Sequence, residues 1–143
     1  MTITRERFEQ GMTYEAFKAQ MTRNQERFVV NEEHFQLSPE DAAAFASLPD
    51  LLPVLVLAED WCGDVVANLP VLGKVAAQTG KLDLRLFLRD QNLDLMDAYL
   101  KEGKYRSIPV FVFFDQDFHE MGRMIERPAA ATARRDQIGR AHV

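Results

Sequence analysis

Cysteine is almost missing from this chain. Of 143 residues one is cysteine, Cys62, and one is tryptophan, Trp61 beside it. A single thiol excludes an internal disulfide and a cysteine-rich metal cluster. Glycine and proline are sparse, at 7 and 6 residues, which excludes a collagen-like or low-complexity chain. His34, His119 and His142 are scattered and suggest no metal site. Asp90, Asn92 and Asp94 imitate the start of a calcium loop, but Leu95 stands where glycine is needed and Lys101 where the last ligand belongs. No apolar run approaches the ~20 residues that a membrane span needs. Positive charge is in deficit: 17 Lys and Arg against 22 Asp and Glu give a formal net charge of −5. With no basic cluster to offset it, that balance argues against nucleic-acid and anionic-membrane partners. Met1–Arg7 mixes acidic and basic residues and lacks the apolar stretch of a secretory signal, so the expected location is cytoplasmic.

What is present is an ordinary globular balance, 47% hydrophobic and 27% charged, at a length that suggests one main domain. Residues 1–50 read as a helical N-terminal extension. Thr13 can cap a helix over Tyr14–Met21, with Tyr14, Phe17 and Met21 on one face as a core stripe. A shorter helical piece is expected around Thr4–Gln10, ended by Gly11. Ser38-Pro39-Glu40-Asp41 is a helix start, with Ser38 as N-cap and Pro39 at the first helical position.

From residue 51 the pattern changes. Val54–Ala58 is a continuous apolar run, as expected of a strand buried on both faces. Val65, Leu69, Leu72 and Val75 recur at helical spacing, and Gly80 closes that helix. Leu82, Leu84, Leu86 and Leu88 alternate with Asp83, Arg85, Phe87 and Arg89 as a second strand. Leu93–Lys101 reads as a short helix. Val110–Phe114 is another apolar strand, and Phe118–Ile125 a further one after a turn at Asp115–Asp117. Arg127-Pro128 opens a final Ala-rich helix. The order β-α-β-α-β-β-α implies an α/β domain over residues 51–136, with a parallel βαβ unit followed by an antiparallel hairpin. Gln137–Val143 looks like a translated sequencing adapter and is set aside as a suspected non-native tail.

Cys62 falls where the first apolar strand gives way to the first helix of this domain. Backbone N–H groups at a helix start stabilise a thiolate. Glu59, Asp60 and Asp64 oppose it if their carboxylates face the sulfur, and no Lys, Arg or His lies within ten residues on either side. Local sequence leaves that balance open.

The element order and four motifs together resemble the thioredoxin family. Trp61-Cys62-Gly63 is similar to the first half of its Trp-Cys-Gly-Pro-Cys motif. Pro70 falls where family members kink the following helix. Ile108-Pro109 resembles the loop whose cis proline faces the active-site cysteine, and Arg127-Pro128 is similar to a pair found in a bacterial subfamily. The resemblance implies a thioredoxin-like fold with a mixed central sheet flanked by helices. It departs at two places: Val65 replaces the second cysteine, and Val56 stands where a buried acid assists it.

The resemblance therefore implies a monothiol, with Cys62 as nucleophile in thiol–disulfide exchange or deglutathionylation. Trp61, Gly63, Asp64, Ile108 and Pro109 would line the substrate groove, although Asp64 also suits the role of a helix-start stabiliser. No cofactor or metal is expected; glutathione or another thiol would serve as co-substrate, and the partner would be a protein or small-molecule thiol or disulfide. Two alternatives stay open. One is a non-catalytic module that docks extended peptides beside Trp61 and Pro109. The other, a peroxide-reducing site, lacks a nearby Thr or Arg in sequence.

Overall fold

The structure is a computed structural model, and it describes residues 3–125. Arg127-Pro128, the expected Ala-rich helix, His142 and the suspected tail lie outside the described residues. The elements follow in the order α1 (Arg5–Glu9), α2 (Tyr14–Gln20), α3 (Gln25–His34), α4 (Pro39–Ala46), β1 (Leu52–Ala58), α5 (Gly63–Thr79), β2 (Leu82–Leu88), α6 (Leu93–Ala98), β3 (Val110–Phe114) and β4 (Glu120–Ile125). A single 3₁₀ turn, Arg89–Gln91, follows β2.

The sheet order is β2-β1-β3-β4. β1 and β2 run parallel across α5, with Ala58 opposite Leu88, while β3 and β4 pair antiparallel as a hairpin. β1 also pairs antiparallel with β3, which makes the sheet mixed. Pro53–Ala58 are all buried, as a central strand covered on both faces requires.

The N-terminal helices belong to the same core. Phe8, Phe17, Met21 and Phe28 are buried in one cluster with β1, α5 and β3. Thr13 and Ser38 cap their helices as the sequence predicts, each accepting the N–H three residues on. Met12 exchanges two 2.8 Å backbone bonds with Leu86 and so covers the outer edge of β2. Gly11 permits that approach, since a Cβ there would lie 2.7 Å from the Phe87 ring.

Two elements differ from expectation. α6 stops at Ala98, because Tyr99 leaves the helical region and is buried instead. β4 starts at Glu120, two residues late. The Asp115 carboxylate accepts the Asp117 and His119 N–H groups, and Phe118 takes a positive φ that turns its ring onto Phe8.

Pro70 lies inside α5 and is buried. It has no N–H to give to the Val66 carbonyl one turn earlier. Asn31 of α3 supplies the missing donor, its side-chain amide lying 2.9 Å from Val66 O. This contact ties α3 to the helix that carries the thiol. Asn31→Ala should therefore cost about 1 kcal/mol in urea unfolding. In a Pro70→Ala background, where residue 70 regains its N–H, the cost should largely vanish. Equal losses in both backgrounds would contradict this role.

Candidate functional site

The site is built at the junction of β1 and α5. Cys62 is the N-cap of α5, with extended backbone and φ −87°. Its Sγ is half-buried and donates to the Ile108 carbonyl at 3.6 Å. The Ile108–Pro109 peptide is cis. Cys62 and Ile108, far apart in sequence, are thus in contact. Ile108 and Pro109 are buried, and Trp61 is 43% exposed beside the thiol. A Cβ at Gly63 would meet nothing within 4 Å, so the rim at Gly63, next to the thiol, faces open space. Asp64 stands in the first turn of α5, where an acid suits the helix dipole.

The two acids before Trp61 are engaged with backbone donors. Glu59 Oε2 accepts the Asp90 N–H at 3.0 Å. Asp60 Oδ2 accepts the Thr22 N–H at 2.8 Å and the Arg23 N–H at 3.3 Å, and the Asn24 side chain donates to the Asp60 carbonyl at 2.9 Å. Asp60 thereby straps the α2–α3 connection onto the thiol loop. Its carboxylate also sits just before the N-terminus of α3, whose own N-cap, Asn24, makes no side-chain cap.

A cation reaches the site through the fold. Arg89 follows β2, and the parallel register brings the end of β2 level with the end of β1. Its guanidinium lies 4.9 Å from the Trp61 ring centroid. Nε donates to Asp90 and Nη1 to the Arg106 carbonyl at 3.1 Å. Arg106 in turn makes a two-pronged pair with Asp97 of α6, at 2.8 and 3.0 Å. Those hydrogen bonds hold the Asp97 carboxyl below the usual carboxylate range.

The positions of Val65 and Val56 bear on the chemistry. Both are fully buried, and among the described residues no acid is buried. The chain has no second thiol, and among the described residues no buried base stands behind Cys62. The sequence pattern alone did not reveal Arg89 or the strap role of Asp60. The signal for Arg89 was the matched ends of two apolar runs, at Ala58 and Leu88.

A hollow of about 360 Å³ opens elsewhere, around Tyr14, Glu32, Gly73 and Lys74. Burial and the adjoining Glu32 carboxylate push the Tyr14 hydroxyl well above its ordinary range. This hollow does not include Cys62.

The thioredoxin family model matches residues 11–138, which is most of the chain. The chain belongs to the thioredoxin family. The match begins at Gly11, so the family pattern takes in α2, α3 and α4 as well as the sheet. Two solved structures share the thioredoxin-like fold. One is a protein of unknown function from Pseudomonas aeruginosa, 20% identical, with a TM-score of 0.83, covering 99% of this chain and 87% of that one. The other is an HIV epitope scaffold, 22% identical, with a TM-score of 0.77, covering 89% of this chain and 79% of that one. No curated protein matches. Among the described residues no helix is long and apolar enough to cross a membrane.

Replacing Asp60 tests the strap. Asp60→Ala should lower stability by about 1 kcal/mol through the lost backbone acceptor. Asp60→Asn keeps one acceptor oxygen and should lose less. A midpoint of urea unfolding unchanged in Asp60→Ala would contradict the assignment.

Proposed function

We propose that this thioredoxin-family protein is a monothiol acting in thiol–disulfide exchange or deglutathionylation through Cys62. One observation carries the reading: the chain's single thiol sits half-exposed at a helix start, against the Ile108–Pro109 loop. The open rim at Gly63 and the exposed Trp61 face support a shallow groove for an extended polypeptide or a glutathionyl group.

The chemistry needs no second cysteine. The Cys62 thiolate attacks the glutathione sulfur of a substrate–glutathione disulfide. A bond forms between Cys62 Sγ and that sulfur, the original S–S bond breaks, and the substrate leaves as a thiolate that takes up a proton. A second glutathione thiolate then attacks the adduct, forming glutathione disulfide and releasing Cys62. Glutathione or another thiol is the co-substrate, and no resident cofactor or metal takes part. Such a cycle suits a reducing compartment such as the cytoplasm.

A non-catalytic reading is favoured by one feature. The exposed Trp61 ring beside the buried Ile108–Pro109 loop offers an apolar surface that can hold an extended peptide without any step at the sulfur. Incubation with glutathione disulfide separates the two. The exchange reading predicts one glutathionyl adduct by intact mass, absent in Cys62→Ser and removed by excess glutathione. Wild-type protein without adduct would leave the peptide-docking module. A gain-of-function variant adds a second test. Val65→Cys restores the family's pair one turn into α5 and should acquire dithiol reductase activity. Failure of that pair to oxidise would contradict the placing of both side chains on one face.

A further inference from the structure

Two walls from different parts of the chain flank Cys62. One is Trp61-Cys62, at the end of β1. The other is the segment 106–109, leading into β3. The sulfur touches the second wall at Ile108 O. Arg89 touches both: its guanidinium stacks on the Trp61 ring, and its Nη1 donates to the Arg106 carbonyl. The contacts close a ring, running from Cys62 to Trp61, across Arg89 to Arg106, along the chain to Ile108, and back to the thiol.

We propose that Arg89 is the positioning residue of this groove, clamping Trp61 to the 106–109 segment and so setting the gap in which a disulfide meets Cys62. The chemistry of the proposal rests on the thiol-exchange reading; its geometry does not. A planar guanidinium is suited to this role, because it can stack on an aromatic face while its edge donors bind elsewhere. The ammonium of a lysine can lie over the ring but cannot serve both walls in that fixed arrangement. Four further bonds steady the clamp. Asp90 accepts from Arg89 Nε, Glu59 accepts the Asp90 N–H, and Asp97 anchors Arg106 in two places. The Arg89 side chain is 21% exposed, so solvent does not freely compete for it. An ordinary surface ion pair with Asp90 would leave Trp61 indifferent to Arg89. The clamp makes Trp61 depend on it.

Trp61 is the chain's one tryptophan, so its fluorescence reports the clamp directly. The experiment compares the full chain with Arg89→Ala and Arg89→Lys, each first checked for native circular dichroism. Acrylamide quenching of Trp61 should rise about twofold in Arg89→Ala, with Arg89→Lys between the two. With a peptide disulfide as substrate, kcat/KM should fall about tenfold in Arg89→Ala, mostly through KM, because the groove is misplaced while the sulfur is unchanged. Partial recovery in Arg89→Lys would support the clamp. Quenching identical in all three proteins would overturn it, as would a loss confined to kcat. Wild-type protein without exchange would sink the thiol-exchange reading, and quenching alone would then decide the clamp.

Discussion

The constraint that organises this molecule is the handover from β1 to α5. A strand buried on both faces must run straight to the end of the sheet, and the helix after it must turn back to cover that sheet. The residue at the turn is held at the edge of the core with the helix's unpaired N–H groups around it. Here that residue is Cys62. Its sulfur also meets the carbonyl of Ile108, which comes from the loop entering β3. Because β1 pairs with both β2 and β3, their ends gather at one point. Everything assigned to the site follows from that convergence.

The convergence also bears on the charges that local sequence left open. Glu59 and Asp60 are close to the thiol along the chain, yet each is committed to backbone N–H groups of another element. The positive charge missing within ten residues arrives on Arg89, from the neighbouring strand. The helices before residue 51 are part of the same arrangement. α3 supplies the donor that Pro70 withholds from Val66, and the turn before α3 is fastened to Asp60.

Much of the fold was legible because single residues carry strong local signals. Val54–Ala58 could only be a buried segment, Gly80 ends α5 at φ 65°, and Thr13 and Ser38 cap where a hydroxyl before an acidic turn should cap. α3 was not delimited. Its one buried side chain is Phe28, set in a polar stretch with too weak an apolar stripe to mark a helix. Tyr99 and Phe118 broke the expected bounds of α6 and β4 because tertiary burial outweighed local propensity. Cys62, Trp61 and the Ile108–Pro109 loop could be picked out from motif and order. The roles of Arg89, Asp60 and Asn31 could not, since each depends on a contact between separate elements.

The central claim is that the fold presents Cys62 for reaction instead of sealing it in the core. The most direct measurement is the rate of Cys62 carbamidomethylation by iodoacetamide in the native chain and in the urea-unfolded chain at the same pH. The account predicts a native rate equal to or above the unfolded one. A native thiol protected by orders of magnitude would contradict it, since reaction would then require the protein to open.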